Sequence, residues 1–258
     1  MHMKQEWIEK IYAGWLAKIV GIRLGAPVES WTYEKIKAVY GALSGYPTQY
    51  RRFAADDDSN GPLFFLRALE DCGKPAREMT ADDVAEALLN YAPFEHGFFW
   101  WGGYGVSTEH TAYINLAHGI PAPLSGSATT NGKLLAEQIG GQIFIDTWGL
   151  IWPGRPDKAA DYAQAAASVS HDGEGLYGAR FIASCIAQAF CERDIYQVVE
   201  RALEEIPSES LYAQVSRAVI AHHQKHPEDW ESCLKMLHRD WGYDKYGGVC
   251  HIIPNAGV

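Results

Sequence analysis

Three consecutive aspartates, Asp56-Asp57-Asp58, followed by Ser59 and Asn60, are the residues best suited to chemistry. Adjacent carboxylates repel, and a helix or strand interior gains nothing from three in a row. A hard divalent cation, which takes several oxygen ligands, offsets that crowding. The apolar run Pro62-Leu63-Phe64-Phe65-Leu66 follows directly, so the acids are expected at the start of a helix, where the dipole also favours negative charge. The plainer reading is a solvated loop and N-cap.

Four further places hold unusual side chains. The run 21–29, Gly-Ile-Arg-Leu-Gly-Ala-Pro-Val-Glu, ends a helix with glycines, a proline and the carboxylate of Glu29. Residues 97–105, Gly-Phe-Phe-Trp-Trp-Gly-Gly-Tyr-Gly, mix aromatics with glycines. Such a loop suits close approach to a ligand and stacking on a planar ring, with Gly103 and Tyr104 as candidate contacts. It equally suits an aromatic plug over the core. Ser170-His171-Asp172-Gly173 interrupts two alanine-rich helices, and a lone imidazole there reads first as a satisfied structural histidine. Asp146 falls in an otherwise apolar helix, so it needs a partner, Arg155 or a backbone donor, or a place in a site. His222 and His226 are one helical turn apart, but no H-E-x-x-H pattern accompanies them.

The elements that must position these groups read as helices. Trp7, Ile8, Ile11, Trp15, Leu16 and Ile19 form one stripe at helical spacing. Thr80 to Asp83 reads as a capping box. Helices are also predicted at about 107–118, 133–149, 157–170, 176–192, 195–205, 211–226 and 228–240. No segment is a convincing strand, and no Gly/Ser- or Pro-rich linker divides the chain. The expected fold is all-α, a single compact multi-helix bundle over residues 1–258.

Composition bounds the class. The chain has 258 residues, 47% hydrophobic and 21% charged, ordinary values for a globular protein. Its 22 basic and 32 acidic side chains give a charge of −10, which argues against a generic nucleic-acid partner. No apolar run is long enough to span a bilayer and none forms a signal-peptide core, so no membrane partner and a cytoplasmic location are expected. The five cysteines contain no C-x-x-C pair and read as reduced thiols.

In order and spacing these pieces resemble the ADP-ribosylglycohydrolase family, which includes the dinitrogenase-reductase-activating glycohydrolase and the J1 crystallins. The resemblance rests on Gly21-x-x-Leu24-Gly25-x-x-x-Glu29, the acidic run 56–59, and Gly140-Gly141-Gln142-Ile143 with Asp146 and Pro153-Gly154. It continues through the alanine-rich segment 159–169 and Ser170-His171-Asp172-Gly-x-Gly-x-Tyr177-Gly178. It implies an all-α fold and a two-magnesium site that cleaves the glycosidic bond of ADP-ribose from a modified protein or small molecule. Asp56, Asp57, Asp58 and Ser59 are then the expected metal ligands, with Asp57, Asp58 and Glu29 catalytic. His171, Ser170, Asp146, Gly103 and Tyr104 are the expected substrate contacts.

The resemblance has two departures. Ile22 stands where many relatives carry aspartate. The family also closes its metal site with a Gly-x-Asp-Thr-Asp-type motif after a segment like Val249–Asn255, and the sequence reaches Val258 without one. Three expectations follow: a fragment, a site completed by a second polypeptide, or a divergent member; separately, an apolar face exposed by truncation is expected to favour self-association. The competing function is a non-catalytic ADP-ribose-binding or crystallin-like protein. An unrelated di-metal carboxylate bundle is disfavoured, because Glu-x-x-His pairs are missing.

Overall fold

The computed structural model describes residues 5–49, 56–75, 78–97 and 99–258. Phe98 of the aromatic loop lies outside the described residues. The chain runs through α1 (Gln5–Gly25), a 3-10 turn (Ala26–Val28), α2 (Tyr33–Tyr40), α3 (Asp57–Asp71), α4 (Ala81–Tyr91) and α5 (Thr108–Ala117). Four short helices follow: α6 (Ala128–Asn131), α7 (Lys133–Ala136), α8 (Gly140–Ile143) and α9 (Asp146–Ile151). The remainder is α10 (Pro156–Ala167), α11 (Glu174–Gln188), α12 (Ile195–Leu203), α13 (Leu211–Lys225), α14 (Trp230–Trp241) and α15 (Ile252–Asn255). The fold is all-α, as the periodicity predicts. Among the described residues the one piece of β pairing is an isolated bridge between Gln138 and His251.

Helix α11 is the spine. Its Ala179, Ala183 and Ala187 are fully buried and face Ala159, Ala163 and Ala166 of α10. Small side chains on both helices let the backbones approach closely, which explains the alanine richness of both segments. One core lies on this side, with Trp148 at its centre against Phe65 and Tyr162. On the other side, Phe181 of α11 joins Tyr212, Val215, Leu237, Ile252 and Ile253 in a second core.

Two expectations need correction. The predicted helix 133–149 is three short helices. Gly140 and Gly141 are weak helix formers, and the backbone around Glu137–Ile139 pairs with the tail instead. Ile139 N–H donates to the Cys250 carbonyl at 2.7 Å, and Ile252 N–H to the Glu137 carbonyl at 2.9 Å. In α1, Trp7, Ile11, Trp15 and Ile19 are partly covered, but Ile8 (47%) and Leu16 (49%) are exposed together with Tyr12, Val20 and Leu24. The apolar stripe is therefore wider than the buried face. No helix among the described residues is long and apolar enough to cross a membrane.

Candidate active site

The acidic run begins α3, as its sequence context predicts. Asp56 is the N-cap in extended conformation, and its Oδ1 accepts from the Asp58 amide at 3.0 Å. The Asp56 carbonyl receives the Ser59 and Asn60 amides, and the Ser59 hydroxyl at 2.8 Å. This N-cap geometry forces Asp57 and Asp58 into the first turn, beside Asp56. Pro62 supplies no amide to the Asp58 carbonyl, and its own carbonyl accepts from the Thr147 hydroxyl, tying α3 to α9.

One carboxylate oxygen from each of Asp56, Asp57 and Asp58 lies within 4.8 Å of the others. Burial pushes the Asp57 carboxyl up to about 6, and the charges of Asp56 and Glu29 add to it. Burial pushes Asp58 up to about 7, with Lys18 pulling it down and Asp57 and Asp56 pushing it up. Three half-buried acids held this close favour protonation or a bound cation. The donors, three carboxylates and the Ser59 hydroxyl, are all hard oxygens and fit a hard divalent ion.

The triad lies on the wall of a groove of about 1480 Å3. Glu29, Trp31 and Trp100 share that wall, and His222, His226 and Trp230 line it further along. The volume exceeds the roughly 300–1000 Å3 of ordinary small-molecule sites. Glu29 follows the 3-10 turn, and Ser30 after it takes a left-handed φ of 61°. His222 is engaged by the Ser232 hydroxyl at 2.7 Å.

Asp146 does not line this groove. It opens α9 instead of lying within a helix, and it pairs with Lys18, not Arg155, at 2.7 Å. The Lys18 ammonium also donates to the Ile143 carbonyl at 2.9 Å, and its charge acts on Asp58. Asp146 thus reaches the triad through a lysine that the helical stripe of α1 did not single out. Arg155 turns to Asp157.

The aromatic loop serves as plug and wall together. Phe99 and Trp100 line the groove, while Phe99 also packs on Phe64 and Phe144. Trp101 stacks edge-on against Phe94, His110 and Tyr113. Gly103 and Tyr104 lie away from the groove: the Gly103 amide donates to His110 Nδ1, and the Tyr104 hydroxyl to Asn115. At Gly103 a φ of 116° requires glycine.

His171 is buried to 2% exposure in a loop that is stapled on three sides. The Ser125 hydroxyl donates to the Val169 carbonyl at 2.7 Å, and the Asp172 amide to the Ala136 carbonyl at 3.0 Å. A Cβ on Gly126 would lie 2.5 Å from the Ser170 carbonyl carbon, so only glycine permits this backbone approach. The Ser170 hydroxyl lies 2.8 Å from His171 Nδ1. Burial lowers the imidazole to about 3, which keeps it neutral.

Glu109 is a residue that the sequence patterns did not single out. It is 6% exposed at the start of α5, and its Oε1 accepts from the Thr108 hydroxyl at 2.7 Å. Burial raises its carboxyl to about 7, with the charge of Asp57 adding to the effect. The available signal was its position: a carboxylate on the first turn of a helix that follows a glycine-rich loop.

Acids crowded at the mouth of a helix, on the wall of a groove in an all-α bundle, define a class: a helical protein with a candidate hard-metal site. The ADP-ribosylglycohydrolase family pattern matches residues 3–256, and the chain belongs to that family. No curated protein and no solved structure matches it.

Proposed function

We propose that this protein is a magnesium-dependent hydrolase that cleaves the glycosidic bond joining ADP-ribose to a modified protein or small molecule. The observation that carries the reading is the close cluster of Asp56, Asp57 and Asp58 on a groove wall, in a chain of this family. Asp56, Asp57, Asp58 and Ser59 would hold the metal. When bound, magnesium supplies Lewis acidity that polarises sugar oxygens near the bond to be broken.

The chain's own groups do the rest. Glu29 lies on the same wall, close enough for its charge to act on Asp57, and its exposed carboxylate accepts the proton of the attacking water. The negative field of Asp57 and Asp58 favours the positive, oxocarbenium-like sugar centre that develops as the leaving group departs. Trp31 and Trp100 offer apolar faces to the ligand's ring systems.

The test is release of ADP-ribose from peptides modified on arginine or on serine, with magnesium and with EDTA. Magnesium-dependent release, abolished by EDTA, supports the reading. Release that survives EDTA, or tight ADP-ribose binding with no turnover on either peptide, overturns it.

A further inference from the structure

Helix α1 is apolar on two sides, and the fold covers one of them. None of its 21 residues is buried. Its cations turn toward the body of the protein: Lys10 donates to the Phe190 carbonyl at 2.7 Å, Lys18 pairs with Asp146, and Arg23 lies over the Tyr46 ring. The outer side carries Ile8, Tyr12, Leu16, Val20 and Leu24, all exposed, four residues apart along about 24 Å of helix. A surface helix normally presents charge there, yet the exposed charges of α1 are Glu6 and Glu9, both near its N-terminus. A continuous apolar stripe of this length marks a contact surface.

The shape of the stripe says what it contacts. Beside the large residues runs a second exposed row of small ones, Ala13, Ala17 and Gly21. A Cβ on Gly21 would meet nothing within 4 Å. Glycine inside a helix is less favourable than alanine, and nothing in the chain itself calls for it at this position. A ridge of large side chains next to a shallow furrow fits another helix with the same pattern, ridge into groove. Two copies of α1 running antiparallel satisfy both sides at once. Leu16 of each copy then meets Ala17 of the other, Tyr12 meets Gly21, and Val20 meets Ala13. The charges agree with this sense: the acidic first turn of one copy lies toward the Arg23 end of the other, and the helix dipoles oppose. A parallel pair would set Leu16 on Leu16 and Glu9 on Glu9.

We propose that the outer face of α1 is a homodimer interface, in which two copies of this chain pack antiparallel about Leu16 and Ala17. Such a contact is isologous, so it closes as a two-fold dimer and leaves no second patch open. It also steadies the helix that carries Lys18 to Asp146 and leads toward Glu29.

Sedimentation velocity of the full chain from about 1 to 100 μM tests it, the range suited to a helix pair at the small end of stable interfaces. Wild type is expected to form a reversible dimer. Leu16→Glu and Ala17→Leu are each expected to weaken it by about tenfold or more, as substitutions at an interface centre do. Both positions are exposed, so far-UV circular dichroism at the lowest concentration should match wild type. Ala17→Leu is the sharper variant, because it enlarges the apolar surface while filling the furrow. A dimer tightened by Ala17→Leu would mean unspecific apolar adhesion and overturns the proposal, as does a dimer indifferent to both substitutions. Wild type that stays monomeric throughout the range also overturns it. Co-sedimentation of that monomer with phosphatidylcholine vesicles would then assign the face to a lipid surface instead.

Discussion

The two acidic parts of the site are built by opposite means. Asp56, Asp57 and Asp58 are neighbours in the chain, half-buried on the groove wall, and crowded by one another. Glu109 and His171 come from distant segments, are almost fully buried, and meet over a glycine from a third segment. The first arrangement carries more negative charge than it can comfortably hold, which suits a cation. The second leaves the buried His171 Nε2 without a hydrogen-bond partner among the described residues. Charge surplus thus marks the triad, and a bonding deficit marks the buried surroundings of His171.

The largest test of this division removes the surplus. Asp57→Asn and Asp58→Asn are each expected to lower magnesium-dependent ADP-ribose release by on the order of 10^3-fold, since metal-site electrostatics supply several kcal/mol. Product chromatography under single-turnover conditions checks this. Full activity in both variants would separate the triad from catalysis.

Crowding Gly140 comes next. Gly140→Ala places a methyl group 2.8 Å from both Glu109 Oε1 and His171 Nε2. Overpacking of this kind costs about 1–3 kcal/mol, to be read from urea denaturation. A loss near zero would mean that the two side chains move aside freely.

The pH dependence of stability separates the buried acids from His171 by sign. Asp57, Asp58 and Glu109 have folded values of about 6, 7 and 7, above ordinary carboxyls, so the folded chain holds protons that the unfolded chain releases. Their contribution is present at low pH and is lost as pH rises from about 4 through about 7. His171, lowered to about 3, acts in reverse, and its contribution is lost as pH falls below about 6.5. In metal-free buffer Asp58→Asn is therefore expected to stabilise the protein at pH 7.5, by roughly 1–2 kcal/mol, and to do little at pH 4. Thermal melts at both values decide it, and a variant less stable than wild type at pH 7.5 would count against the charge surplus.

The smallest effect concerns the cation that already tempers the triad. Lys18→Met removes the ammonium that pairs with Asp146 and pulls Asp58 down. Magnesium affinity at pH 6.5 is expected to fall by less than about tenfold, because Asp58 then holds its proton to higher pH. At pH 8.5 the difference should vanish. A deficit that persists unchanged there would assign Lys18 to the structure of α1 alone.

Much of the fold was legible. Periodicity in α4 and α10 to α14 reflects burial along one face, and the Thr80–Asp83 capping box forms as read, with Asp83 accepting the Thr80 amide. The segment 133–149 was not legible as three helices, because its glycines matter only once the tail pairs with Glu137–Ile139. Ile8 and Leu16 count as stripe members in any window, yet which apolar residues of α1 are covered depends on what packs beside it.

The triad itself was determined by sequence alone, for a physical reason. Consecutive residues cannot be far apart, and an aspartate ahead of an apolar helix caps it, so the charge crowding is fixed before any tertiary contact forms. Lys18 and Asp146, like Glu109, Gly140 and His171, are separated by tens of residues, and nothing local to them dictates a meeting. Only the tertiary structure decided that, through the close approach of Gly126 to Ser170 and the stapling of the His171 loop to Ala136. Covalent adjacency fixes which charges crowd, whereas backbone packing fixes which buried atoms are left to be satisfied.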